Sequence, residues 1–354
     1  MASDSLFGGT DLSDFTVLSD DTKAVINAIL GDTIGGAVKS EQLTGGGTLV
    51  SAEGSNGETQ AVLISEAGQV IAATLKSGEV TLDVVLPAGM GMAFQGVDSV
   101  PPDQVASYMA AVTESFLPSS STDPVVQAAR EDLLASIKTL TESLSAAGGT
   151  SFSVRFVAIT AEAASGGGGS GFTPRAAVGG DVVFDAGVTG TTSELLAMVM
   201  GNLKASQTLV LKNVESALLI GNGTARVDGS KGAMVSGGMG EQNITGSAGN
   251  DTLIGGTGRD TLTGGLGKDI FGIGAKDGKL TVTDFTPGTD MLGFKIDGVA
   301  NLTDLSKLYT GLTHHTATAT APADTILNFG PDMSITLVGV SPYDLTLDMI
   351  KFTL

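Results

Sequence analysis

The chain reads as a mainly β protein: a C-terminal parallel β-roll with a closing β-segment, preceded by an α+β N-terminal domain. Three observations predict this. Residues 246–272 repeat with a period of nine, apolar residues recur at steps of eight or nine well upstream of that stretch, and residues 19–160 carry helix and strand patterns in separate blocks. A fixed short period means one structural unit stacked on copies of itself.

Written in nines, 246–272 reads GSAGNDTLI, GGTGRDTLT, GGLGKDIFG. Each unit has glycine fourth (Gly249, Gly258, Gly267), aspartate sixth (Asp251, Asp260, Asp269) and an apolar residue eighth (Leu253, Leu262, Phe271). Six residues of glycine-rich turn and three of strand make half a coil, and glycine allows the positive φ that such turns need. Two nonamers make a full coil. Turns on one side are then eighteen residues apart, which pairs Asp251 with Asp269, and Asp260 with the turn containing Asp277. Stacked turns present a carboxylate and backbone carbonyls to the gap between coils. A hard divalent cation taking six or more oxygens suits that gap, and Ca2+ tolerates its irregular geometry better than Mg2+. The turn positions expected to join the aspartates around the ion are Gly246, Ala248, Gly255, Thr257, Gly264 and Leu266. Aspartates in a glycine-rich loop can also be plain turn formers. Three nonamers in register count against that reading.

The pattern G-G-x-G-x-D-x-(apolar)-x resembles that of the repeats-in-toxin (RTX) calcium-binding proteins of Gram-negative bacteria. "TVTDFTPGTDMLGF" (281–294) is similar to the segment after the roll in secreted RTX enzymes, and "DTILNFGPDMSITLVGVSPYDLTLDMIKF" (324–352) to their closing β-segment. The likeness covers roughly 237–354. It implies Ca2+ as the ligand and export by a one-step type I exporter that reads an uncleaved C-terminal signal, with which the terminal "LTLDMIKFTL" is compatible. The resemblance thus places the chain outside the cell or on its surface.

Upstream of Leu253, apolar residues recur at Ile244, Val235, Val227, Leu219 and Val210. "GGMGEQNIT" (237–245) is a nonamer with Gln242 in the aspartate position. The spacing predicts a continuous solenoid whose upstream coils are held by apolar stacking, with calcium bound only by the last coils.

Residues 1–165 are expected to form the N-terminal domain, for assembly or interaction. "SDDTKAVINAILG" (19–31) reads as a helix. "TLVSAE", "QAVLIS", "VIAATL" and "EVTLDVVL" read as an antiparallel meander between Thr48 and Phe94. Helices follow at 101–117, with Val105 and Met109 in its stripe, and from Pro124, with Leu133 and Ile137 inward; "SFSVRFVAIT" is a further strand. Residues 166–205 read as a linker, beginning in "SGGGGSG", and a short apolar helix, "SELLAMVMGNLK" (193–204), that caps the first coil. The solenoid is expected over 206–300, and the closing segment with its secretion signal over 301–354.

Composition narrows the function. Eighteen basic against thirty-eight acidic residues give −20, which opposes nucleic-acid binding. There is no cysteine, so calcium rather than disulfides is the expected staple. The N-terminus lacks the basic and apolar regions of a Sec signal, and no apolar run is long enough to span a membrane. No enzyme is expected. The two histidines, His314 and His315, are adjacent, which excludes H-E-x-x-H, and there is neither a G-x-S-x-G elbow nor a P-loop. Adjacent histidines in a strand face opposite ways and make a poor metal pair. The absence of tryptophan weighs against sugar-stacking sites. The expectation is a secreted, calcium-binding structural protein that self-assembles as filament, layer or matrix. A calcium-dependent effector (hydrolase or pore former) or a monomeric adhesin, acting through 1–165, stands as the alternative. The partners expected are further copies of the chain, the type I exporter and a cell-surface glycan.

Overall fold

The computed structural model describes residues 38–352 except 44–46, 54–57, 66–69, 78–79, 114–118, 121, 123, 147–149, 162–179, 187–192, 201–202, 204, 230, 239, 275–277, 297 and 319–321. The helix expected at 19–31 and the tract at 165–171 lie outside these residues.

Two sheets face each other along the whole described chain. The first runs in the order β1 (Val38–Leu43), β2 (Gly47–Glu53), β3 (Thr59–Ser65), β6 (Met90–Val100), β7 (Phe152–Ala161), β9 (Ser193–Val199), β11 (Ser216–Ile220), β13 (Met234–Gly237), β15 (Thr252–Ile254), β17 (Ile270–Ile273), β19 (Met291–Phe294), β23 (Ile350–Lys351). The second runs β4 (Ile71–Ser77), β5 (Val80–Leu86), β8 (Val182–Asp185), β10 (Thr208–Lys212), β12 (Gly223–Asp228), β14 (Gln242–Thr245), β16 (Gly258–Thr263), β18 (Gly278–Val282), β22 (Ser334–Val338), β21 (Asp324–Asn328), β20 (Gly311–His315). Pairing is antiparallel from β1 to β7 and from β4 to β8, then parallel through the coils. The closing segment continues both sheets: β22 pairs parallel with β18, and β23 with β19.

The inward column of the first sheet is Leu196, Ala217, Val235, Leu253, Phe271, Leu292. That of the second is Leu209, Ala225, Ile244, Leu262, Val282, Leu337. All belong to one apolar core that extends from Leu49 to Met349. A second layer covers the outer face of the first sheet. There α1 (Pro102–Thr113) and α2 (Pro124–Ala146) bury Val105, Met109, Leu133 and Ile137 against Phe152, Val154, Phe156, Leu195 and Leu218. At the far end, Phe294 stacks edge-on with Phe329 at 5.3 Å, and Tyr309, just past α3 (Leu302–Leu308), meets the same ring at 5.8 Å.

Three expectations need correction. Residues 193–199 are strand β9, not a capping helix. They lie between β7 and β11 with Leu196 and Met198 on the core and Leu195 and Ala197 on the helix layer, so both faces are apolar. The four strands between Thr48 and Phe94 are not one meander: β2 and β3 join the first sheet, while the β4–β5 hairpin crosses to the second. The upstream apolar column is also displaced by one or two residues. Val210 stands opposite Arg226 and Leu219 opposite Gly237, and Leu209, Ala217 and Ala225 carry the column instead.

Candidate metal centre

The turns that enter the first sheet stack at 229–233, 246–251, 264–269 and 284–290. Each aspartate in this file binds the coil before it. Asp251 Oδ1 accepts the N–H of Ala233 at 2.7 Å, Asp269 Oδ1 that of Asp251 at 2.8 Å, and Asp290 Oδ1 that of Asp269 at 3.0 Å. The eighteen-residue pairing of Asp251 with Asp269 is therefore direct. On the opposite side Asp260 Oδ1 accepts the N–H of Gln242 at 2.9 Å, again eighteen residues back.

The second carboxylate oxygen points into the turn. A Cβ placed on Gly246 would lie 2.7 Å from Asp251 Oδ2 and 2.5 Å from the carbonyl of Gly264. The same construction puts Gly255 2.9 Å from Asp260 Oδ2, and Gly264 2.3 Å from Asp269 Oδ2. Carbonyls of the preceding coil converge on the same space: Gly265 (φ +95°) faces Ser247 O, and Gly267 (φ +130°) faces Gly249 O at 2.2 Å from its missing Cβ. Only glycine fits there, through both the left-handed backbone and the close approach.

These carboxylates are costly to hold charged without a cation. Asp251, Asp260, Asp269 and Asp290 are all buried. Burial pushes the Asp260 carboxyl up to about 7, helped by Glu241 and opposed by the hydrogen bond from Gln242 N. Burial likewise pushes Asp269 up to about 6. The bond from Asp251 N opposes this, and the charges of Asp251, Asp290 and Asp284 add to it.

The family model of the RTX calcium-binding nonapeptide repeat matches residues 236–271, in four copies. Residues 236–271 are RTX calcium-binding nonapeptide repeats. The match begins one unit before the three regular nonamers, so the repeat containing Gln242 belongs to the array. RTX repeats bind Ca2+, and proteins that carry them are typically secreted, by type I export. Among solved structures, a subunit of the Azotobacter vinelandii mannuronan C5-epimerase is similar at 25% identity and TM-score 0.28, covering 37% of this chain and 77% of that one. The Serratia marcescens extracellular lipase is similar at 14% identity and TM-score 0.20, with 46% of this chain matched to 45% of the lipase. The comparison with curated proteins finds no match.

The RTX turns suit a calcium ion. A carboxylate oxygen and carbonyls of the adjacent coil share the space that glycine leaves open, which is the hard-oxygen donor set Ca2+ prefers. Asp251 and Asp269, with carbonyls from Gly246, Ala248, Gly264 and Leu266, would hold an ion on one side of the roll, and Asp260, with carbonyls from Gly255 and Thr257, would hold another on the opposite side. Ala248 and Thr257 also donate their N–H groups to the coil upstream, to Gly229 O and Gly238 O, and this fixes the turn. Leu266 is 73% exposed at the turn tip. Asp277 lies outside the described residues, and the residue opposite Asp260 in the ladder is Leu280.

Sequence reasoning missed Asp284 and Asp290. Asp284 accepts the N–H groups of Gly264 and Gly265, both at 2.8 Å, and Asp290 also accepts Thr286 N at 2.8 Å. A signal was present: Asp290-Met291-Leu292 repeats the Asp-x-apolar ending of the nonamers, but twenty-one residues after Asp269 rather than eighteen. The histidines sit on edge strand β20. His315 Nδ1 lies 2.6 Å from the Asp324 carboxylate, and His314 Nδ1 2.8 Å from the Asp324 carbonyl. Among the described residues no helix is long and apolar enough to cross a membrane.

Proposed function

We propose that this is a secreted, non-enzymatic structural protein whose calcium-folded roll lets copies stack into filaments or layers at the cell surface. The observation that carries the reading is the course of the two sheets. Both run the length of the described chain and end in edge strands, β1 and β4 at one end, β23 and β20 at the other. Strand β4 alternates buried Ile71, Ala73 and Leu75 with exposed Ala72, Thr74 and Lys76, so its face is satisfied while, among the described residues, no further strand pairs its outer row of N–H and C=O groups. Natural proteins cap or use such edges. An end that adds to the unlike end of the next copy makes a heterologous contact, which grows into open polymers unless the rotation closes. The −20 charge opposes association, and bound calcium offsets part of it.

The non-enzymatic reading rests on the sequence, where two adjacent histidines and no nucleophile elbow leave little for acyl transfer or zinc chemistry. A cleft of about 400 Å³ at the β1/β4 end, lined by Lys39, Glu41, Glu53 and Lys76, favours the second reading, a monomeric binder. Light scattering and negative-stain imaging of the full chain separate the two. Ordered polymers in millimolar calcium that shrink on chelation support assembly. A monomer at high concentration in calcium replaces it with the binder.

A further inference from the structure

The acidic file does not stop at the repeats. Carried back along the ladder, the position of Asp290, Asp269 and Asp251 falls on Ala233, then Glu215, then Glu194, and ends opposite Ser153 on β7. The hydrogen bonding repeats with it. Glu215 Oε2 accepts the N–H of Glu194 at 3.0 Å, as each aspartate accepts the N–H one coil upstream. Met234 N donates to Glu215 O just as Ile270 N donates to Asp251 O. Two glutamates therefore occupy ligand positions of the roll in coils that have no nonapeptide signature.

Glu194 is only 1% exposed, and neither of its carboxylate oxygens has a hydrogen-bond partner. Its surroundings do not balance it. The charges that act on it are Arg155, Glu215 and Asp98. Arg155, itself fully buried, gives its terminal nitrogens to Asp98 Oδ1 at 2.5 Å, Val97 O at 3.0 Å and Val154 O at 3.3 Å. Three carboxylates thus share one guanidinium, an excess of two negative charges. A buried carboxylate without partners is expensive, and burial pushes the Glu194 carboxyl up to about 8. Glu215 is exposed, so the position opens to solvent on one side.

We infer that Glu194 and Glu215 form a further site for a hard divalent cation, Ca2+ in the extracellular setting, outside the nonapeptide array. Glu194 supplies two carboxylate oxygens from inside, Glu215 supplies its own from the surface, and water completes the shell. One divalent ion cancels the excess charge of two. The site ties β9 to β11 at the junction between the helix-covered part of the sheet and the bare coils. It does not depend on the assembly reading.

The test counts ions by native mass spectrometry on the full chain in calcium, beside melting curves in calcium and in chelator. Glu194→Gln and Glu215→Gln should each lose one ion relative to wild type, and each should keep the ions lost in Asp269→Ala. In chelator Glu194→Gln should melt no lower than wild type, because an unpartnered carboxylate has been neutralised. The Glu215 variant, at an exposed position, keeps the test open if the buried substitution does not fold. An unchanged ion count in Glu215→Gln overturns the inference. A Glu194→Gln protein with the full count and a lowered melting point in chelator also overturns it, and assigns Glu194 to an ion pair with Arg155.

Discussion

Coils β7 to β12 and coils β13 to β18 share the same two sheets yet are stabilised by different means. In the upstream coils the first sheet is apolar on both faces: Leu196 and Met198 look inward while Leu195, Ala197 and Leu218 are covered by α1 and α2. In the downstream coils most strands give one or two residues to the core, and the turns carry buried aspartates. A parallel sheet exposed on one face is ordinarily too poor in apolar burial to stand. The difference teaches that a second hydrophobic layer and a file of calcium sites can do the same task, and that the roll changes from one to the other between Glu215 and Asp251.

Chelation should break this comparison most visibly. Without calcium, the like charges of Asp251, Asp269, Asp284 and Asp290 are uncompensated, so hydrogen exchange should become fast over 237–295 while β6 and β7 keep their protection. Uniform loss or uniform retention would show that both halves rest on the same forces.

Next in size is Ile137→Ala. It empties a fully buried position under the first sheet and should cost about 2–5 kcal/mol in calcium and in chelator alike. A cost that vanished with chelator would place α2 among the calcium-dependent elements.

Asp269→Ala should cost about 1–3 kcal/mol beyond the lost ion, since the N–H of Asp251 loses its buried acceptor. Gln242→Ala forfeits a 3.1 Å bond to Gly221 O and should cost about 1 kcal/mol, with little change in calcium affinity. Calorimetry in saturating calcium ranks the two, and the reverse order would remove Asp269 from the centre of the array.

A change of pH moves the ion-free and ion-bound rolls in opposite directions. Because the folded carboxyls of Asp260 and Asp269 lie raised, at about 7 and about 6, the ion-free roll favours their neutral forms. Its stability is therefore greatest below about pH 4 and declines as pH rises towards 7. Calcium needs the ionised forms, so affinity moves the opposite way and should fall up to about tenfold per pH unit for each coupled carboxyl on acidification below 7. Titrations at pH 5, 6 and 7.5 giving one affinity would contradict this.

The array was legible because its period is short and unbroken: the spacing alone paired Asp251 with Asp269, and the ladder follows it. Asp290 was hidden by three extra residues after Asp269, two of them between β17 and β18 and one between β18 and β19, which break the count without breaking the hydrogen bond. Strand β9 was misread for a different reason. A strand buried on both faces loses its alternation, and "SELLAMVMGNLK" is rich in good helix formers, so only its neighbours β7 and β11 decide its conformation. The β4–β5 hairpin was visible as a hairpin, but turn chemistry does not say which sheet receives it.

The direction of the ladder has a mechanical consequence. Its main-chain bonds run along the stack, and β1 and β23 stand at opposite ends of one sheet. A tether pulled between those strands would load the rungs one after another, as a zipper, instead of shearing them together. Each eighteen-residue coil set free in the array would add about 60 Å of contour length. Tension would then be released in small steps, beginning where the rungs are weakest, and a rise in calcium would raise the force of the steps within the nonapeptide array and at the β9–β11 rung while leaving that between β6 and β7 unchanged.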